Sequence, residues 1–97
     1  MAVNDTQSIA PTSIANGAFL TIQPASAEMW DVFNIYAGGA CELYWYDGTN
    51  SLKFSASKDF DNFHYPSGLQ LTNTKYLQVK NVSGVTANFA YSGAVRK

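Results

Sequence analysis

The stretch CELYWYDGTNSLKFSA, residues 41–56, decides the fold of this chain. Its centre is Asp47-Gly48, and Asp-Gly between two runs of alternating residues is among the stronger short-range signals for a β-hairpin. Because successive side chains of a strand point to opposite faces, one face of the first run should be buried and the other exposed. The alternation predicts three inward residues, Cys41, Leu43 and Trp45, and two outward tyrosines, Tyr44 and Tyr46.

Similar strand signals recur along the chain, with Gly, Pro or Asn between them, and no window keeps a helical period. The expected strands cover residues 18–23, 30–37, 41–46, 51–56, 69–72, 76–80 and 85–91. Residues 57–68 mix charges, aromatic residues, Pro and Gly, and predict a long loop that can end in a short strand. The fold class is therefore all-β: an antiparallel β-sandwich or jelly-roll-like barrel of about seven to eight short strands.

Residues 1–13 contain few bulky apolar side chains and predict an extended N-terminal arm, either disordered or lying on a neighbouring subunit. The arm precedes a single β-sandwich domain, residues 14–97. We expect Ile9, Pro11 and Ile14 to anchor the arm.

The composition limits the classes of partner. Charged residues make up 13% of the 97-residue chain, roughly half the usual share, so part of the surface is expected to contact other subunits. The net charge is −1 and no run of Lys or Arg occurs, which argues against nucleic acid. No apolar stretch approaches the roughly 18 residues of a membrane span. The N-terminus lacks a signal-peptide pattern and the chain has one cysteine, so we expect synthesis in a reducing host cytoplasm.

Few residues suit catalysis. His64 is the sole histidine, and its neighbours Asp59 and Asp61 raise the hypotheses of a metal site or an acid–base pair. Metal sites of this kind usually have at least three good ligands, and no second His or thiolate is near in sequence, so we interpret His64 as making ordinary loop or subunit contacts. Cys41 is interpreted as a small buried hydrophobe. We therefore predict that the chain is not an enzyme and holds no cofactor and no metal.

The aromatic residues are the most informative group. Outward tyrosines combine an apolar body with a polar tip and are enriched at protein interfaces. The alternatives are plain burial between two layers, and stacking on sugar rings. The candidate interface residues are Tyr44, Tyr46, Phe60, Phe63 and Tyr65, together with Ile9, Pro11 and Ile14 of the arm.

From Pro24 onward the chain resembles a family of small structural proteins of tailed-phage virions. The resemblance is carried by residues 28–30, 34–36, 42–51, 71–77 and 79–84. It implies a β-sandwich building block of a phage particle, most like the capsid decoration (cement) proteins. Those proteins are commonly of this size and typically sit as homotrimers at threefold positions of the shell.

The expected function is accordingly that of a non-enzymatic decoration protein on the virion's capsid surface, which binds the major capsid protein lattice as an oligomer and stabilises the head. Multivalent attachment fits this role, because many modest contacts must then break together. The alternatives are a tail or head-fibre structural protein, and a carbohydrate-binding module that attaches to a host surface through exposed aromatic residues.

Overall fold

The structure, a computed structural model, describes residues 6–96 and the side chains of residues 11–96. The described residues form eight β-strands and no helix. The strands are β1 (Thr6–Ile14), β2 (Phe19–Ile22), β3 (Met29–Ala37), β4 (Cys41–Tyr46), β5 (Ser51–Ser57), β6 (Asp61–Thr72), β7 (Tyr76–Asn81) and β8 (Ala87–Val95). The predicted all-β sandwich is confirmed, and no helix in this part of the chain is long and apolar enough to cross a membrane.

The strands form two antiparallel sheets of four. The first sheet has the order β1-β8-β3-β6 and the second has the order β2-β7-β4-β5. The antiparallel pairs β1–β8, β2–β7, β3–β6 and β4–β5 are nested within one another, and successive pairs fall in alternate sheets. This is the rolled hairpin of a jelly roll, one of the two architectures that the sequence predicts.

The innermost pair, β4–β5, is the hairpin predicted around Asp47-Gly48. Gly48 has a φ of 95°, the left-handed conformation that favours glycine. The Asp47 carboxylate accepts hydrogen bonds from the backbone N–H groups of Thr49 and Asn50 at 2.9 and 2.7 Å. These bonds order the turn, and they account for the lowered pKa of Asp47.

Both sheets contribute to one hydrophobic core. It contains Leu20 and Ile22 of β2, four residues of β3, Cys41 and Leu43 of β4, Leu77 and Val79 of β7, and the largest fully buried side chain, Phe89 of β8. The predicted inward positions Cys41 and Leu43 are fully buried, and Trp45 packs against the core from a half-buried position. The alternation of apolar residues at every second position of β4 therefore identifies the inner face of the second sheet correctly.

The predicted arm, residues 1–13, differs from the structure from residue 6 onward, and residues 1–5 lie outside the described residues. Residues 6–13 belong to β1, which pairs with β8 of the same chain, so the boundary at residue 13 falls inside a strand. The register of β1 shifts between Ile9 and Thr12, and Pro11 lies in that irregularity. An edge strand with a bulge tolerates proline, because one side of the strand needs no ladder hydrogen bond.

The predicted loop at residues 57–68 is wrong over most of its length. Residues 61–68 form the first two-thirds of β6, an edge strand that pairs with β3. The register shifts at Phe33, so that residues 65–68 bulge out opposite this one residue. Pro66 lies in the bulge, and Gly68 adopts a φ of 79° there. The bulge interrupts the alternation of inward and outward residues by which a strand is recognised in the sequence.

Candidate functional site

The outer face of the second sheet carries four aromatic side chains from three adjacent strands. Phe19 projects from β2, Tyr76 from β7, and Tyr44 and Tyr46 from β4, each alternating along its strand with core residues. The four residues are exposed or half-buried. We call these four residues, together with the polar Gln78 and Lys80 of β7, the aromatic face.

Two edge-to-face ring pairs order these side chains. The Phe19 and Tyr44 ring centroids lie 6.1 Å apart at an interplanar angle of 67°. Tyr46 and Tyr76, which are paired in register on β4 and β7, lie 5.5 Å apart at 90°. Such pairs are favourable beyond the area that they bury, so the rings are held in place before any partner binds.

Charged groups surround the rings. The Glu42 carboxylate accepts a hydrogen bond of 2.6 Å from the Tyr44 hydroxyl and lies 3.4 Å from the Lys53 ammonium group. These contacts, the tyrosine bond first, lower the pKa of Glu42. The Lys80 ammonium lies 5.9 Å from the centre of the Phe19 ring, in cation–π range. The face therefore combines apolar rings with charges of both signs.

A shallow depression of about 430 Å³ lies between the rings. It is lined by Phe19, Tyr44 and Tyr46, with Ser51 and Gln78 as its polar members. The side chains that line it offer flat apolar surfaces, hydroxyl groups and one amide. These groups suit the binding of a partner through apolar contact and hydrogen bonds.

The other predicted interface residues do not join the aromatic face. Phe60 is 77% exposed in the turn between β5 and β6. Phe63 and Tyr65 are half-buried on β6 and pack against the core of their own domain. Burial first, and then the negative charge of Asp61, raises the pKa of Tyr65.

The proposed anchors of the arm are also separate. Pro11 is exposed, whereas Ile14 is 9% exposed and belongs to the core, where it is unavailable to a neighbouring subunit. The side chain of Ile9 lies outside the described residues.

The aromatic face contains residues that the sequence analysis missed, namely Phe19, Tyr76 and the polar Gln78 and Lys80. The sequence does contain a pattern that identifies the two aromatic residues. Phe19 precedes the core residue Leu20 and Tyr76 precedes the core residue Leu77, and because side chains alternate between the two faces of a strand, both aromatic rings must point outward. The order of the strands was the missing information. Only the pairing of β7 with both β2 and β4 brings the four rings together.

Outside this face, the Arg96 guanidinium forms an ion pair of 3.0 Å with the Asp31 carboxylate. Nδ1 of His64 lies 2.9 Å from Oδ1 of Asn34 on the outer face of the first sheet. Within residues 6–96 no group of three His, Cys, Asp or Glu side chains is arranged to hold a metal ion. Burial raises the pKa of the Cys41 thiol to about 11, so this thiol is protonated at neutral pH.

The buried side chain of Asn81, at the end of β7, has a structural role. The Asn81 side chain is fully buried, and its amide donates to the carbonyl oxygens of Ile14 and Val85 at 2.7 and 2.8 Å. Its own oxygen accepts from the backbone N–H and the hydroxyl of Ser83 at 2.9 and 2.7 Å. Asn81 thus joins the end of β7 in the second sheet to the end of β1 in the first.

Comparison with known proteins finds no family model that matches the chain and no significant match among curated sequences.

Proposed function

We propose that this chain is a non-enzymatic capsid decoration protein of a tailed-phage virion, and that its aromatic face binds the major capsid protein lattice. The observation that carries the proposal is the cluster of Phe19, Tyr44, Tyr46 and Tyr76 on one sheet face. Contiguous exposed apolar residues with a polar rim are typical of protein interaction sites. Tyrosine is enriched among the residues that dominate binding energy at such sites.

The phage context of the proposal comes from the sequence resemblance. The fold is compatible with it, since jelly rolls form viral capsid domains. They also form lectin domains, so the fold by itself does not choose a function. A decoration role makes use of many weak contacts, because each copy that spans two capsid subunits dissociates only when both contacts break.

The first experiment measures where the protein is in the particle. Quantitative mass spectrometry of virions whose genome encodes this chain gives its copy number. Copies that match the number of lattice positions support decoration of the capsid. A few copies per particle support a tail or head-fibre role instead, and absence from the particle contradicts the proposal.

The second experiment tests the aromatic face. The double variant Tyr44→Ala/Tyr46→Ala is mixed with heads that lack the protein, and bound protein is measured by co-sedimentation. We expect the dissociation constant to rise about 30-fold or more, the effect of losing a binding hot spot.

The matched control is Tyr36→Ala, which removes a 42% exposed tyrosine from the outer face of the first sheet. It should bind as the unaltered chain does. Equal binding by the double variant and the control would show that the lattice contact lies elsewhere, provided that both unfold at the normal temperature.

The second candidate function is carbohydrate binding, and the depression between Phe19, Tyr44 and Tyr46 is the observation that favours it. Aromatic rings stack on sugar rings, and the Gln78 amide and Ser51 hydroxyl suit sugar hydroxyl groups. A glycan array with a hit that Tyr46→Ala abolishes supports this function. An array with no hit eliminates it.

A further inference from the structure

The β5–β6 side of the sandwich leaves large apolar side chains uncovered. β5 and β6 are edge strands of different sheets, and a turn of only three residues, 58–60, joins them. Leu52 is 66% exposed on β5, and Phe60 in the turn is 77% exposed. Phe63 and Tyr65 of β6 border the same side in half-buried positions.

Phe60 projects from an ordered turn. The Ser57 hydroxyl donates to the backbone oxygen of Asp59 at 3.0 Å. The Asp59 carboxylate in turn accepts a hydrogen bond of 2.8 Å from the backbone N–H of Phe60. The turn is therefore held in place while its aromatic ring stays in water, which is the property of a preformed anchor side chain.

An apolar cleft of about 270 Å³ lies at the other end of β5. Trp45 and Leu52, which are paired in register, line it together with Tyr46, and Asp47 and Lys75 are its charged members. A cavity of roughly 150 Å³ already accommodates benzene, so this cleft has room for a phenyl ring.

The two features lie at opposite ends of one edge strand. The cleft is at Ser51 and Leu52, where β5 begins, and Phe60 follows Ser57, where β5 ends. If a second copy lies beside β5 in the antiparallel direction, its Phe60 comes next to the cleft of the first. The twofold symmetry then forms the same contact at both ends, as isologous interfaces require.

The charges are complementary in this arrangement. Phe60 lies between Asp59 and Asp61, with Lys58 one residue further away, while the cleft carries Lys75 and Asp47. The carboxylates beside Phe60 can face Lys75, and Lys58 can face Asp47. Complementary charges across an interface select the partner and exclude arrangements with like charges in contact.

We propose that this chain forms a twofold dimer with antiparallel β5 strands, in which each copy inserts Phe60 into the Trp45–Leu52 cleft of the other. The inference goes beyond lattice binding and uses a neighbouring surface, which meets the aromatic face at Tyr46 and Ser51. It also gives a twofold contact, in contrast to the homotrimer that the sequence resemblance implies.

The test is the molar mass in solution over a range of concentrations, measured by sedimentation equilibrium. The unaltered chain should show a monomer–dimer equilibrium, and Phe60→Ser should raise the dimer dissociation constant about 30-fold or more. The matched control Phe19→Ser, which removes a 44% exposed ring of the aromatic face, should leave the dimer unchanged. Thermal unfolding of both variants confirms that they fold.

Charge reversal provides a second measurement. Asp59→Lys and Lys75→Asp should each weaken the dimer, and the chain with both substitutions should recover it, because the two residues meet across the interface. A monomer at every concentration, a trimer, or a dimer that is insensitive to Phe60→Ser would overturn the proposal. Tyr44→Ala, which lies on the aromatic face and outside the cleft, should weaken lattice binding and remain dimeric, so failure of lattice binding and failure of dimerisation can be distinguished.

Discussion

The outer faces of the two sheets are built from different residues. Along β8 in the first sheet the outward positions are Ala90, Ser92 and Ala94, which alternate with the buried Phe89, Tyr91 and Val95. The second sheet presents the rings of the aromatic face at equivalent outward positions. Both sheets cover the same core with their inner faces, so folding does not require aromatic residues outside. The outer face of the first sheet carries Tyr36, whereas four rings cluster on the second sheet, and this clustering supports our proposal that the aromatic face is the contact surface.

The two outer faces keep their relative positions only if the two sheets are firmly joined. The substitution with the largest expected effect therefore removes Asn81, a residue that joins them. Asn81→Ala leaves the carbonyl oxygens of Ile14 and Val85 without their side-chain donor and takes the acceptor from Ser83. We expect a loss of about 3 kcal/mol in the free energy of unfolding, measured in urea. Asn62→Ala, at an exposed position of β6, should cost no more than about 0.5 kcal/mol. Equal losses would mean that Asn81 does not join the sheets.

A second substitution tests the close packing that small residues allow in the first sheet. A Cβ atom at Gly93 would lie 2.1 Å from the backbone oxygen of Asp31 and 2.9 Å from Cα of Val32. Since backbone cannot move aside as a side chain can, Gly93→Ala should force β8 from β3 and cost about 2 to 3 kcal/mol. Ala94→Ser, the next residue on the outer face, serves as the control. Thermal unfolding measures both, and an unchanged Gly93→Ala variant would refute the close contact.

A substitution on the aromatic face is expected to have a smaller effect, on the pKa of one carboxyl group. Tyr44→Phe removes the hydroxyl that bonds to Glu42, so the pKa of Glu42 should rise toward its usual value. Because the folded-state pKa is below the unfolded value of about 4.3, the pair stabilises the fold above that pH and loses its effect as the pH falls through the folded pKa. Carboxyl NMR titration measures the shift. Tyr46→Phe is the control, since the Tyr46 hydroxyl bonds to a backbone oxygen, that of Gly48, and should leave Glu42 unchanged.

A last test concerns the packing beneath the aromatic face. Cys41 is fully buried on the inner side of β4, and its pKa is about 11. Its reaction with iodoacetamide at about pH 8 should therefore be at least roughly 100-fold slower in the folded chain than in urea. Similar rates in both conditions would mean that the second sheet opens readily.

Much of the fold could be predicted from local sequence. The β4–β5 hairpin follows from Asp47-Gly48, and β2, β3 and β7 begin and end within one or two residues of their predicted bounds. In β2 and β7 the alternation is clean, because one face is buried and the other is not, and in β3 it is interrupted only at Phe33.

The two outer strands of the first sheet could not be predicted in the same way. β1 and β6 each contain a proline and a register shift, at Pro11 and Pro66, which interrupt the alternation that identifies a strand. Their neighbours β8 and β3 are distant in sequence, so only tertiary pairing stabilises them as strands. Only half of the aromatic face could be predicted, for a related reason. Tyr44 and Tyr46 share one strand, whereas Phe19 and Tyr76 lie beside them only because of the strand order.

The placement of β1 beside β8 has a mechanical consequence. Thr6 at the start of β1 pairs with Ala94 near the end of β8, so these two positions leave the sheet from the same corner. A force that pulls them apart would load the ladder one hydrogen bond at a time, as in opening a zipper, rather than shearing all the bonds together. Such a strand is expected to peel away at low force, and the irregularity at Pro11 is where the peeling would pause or begin again.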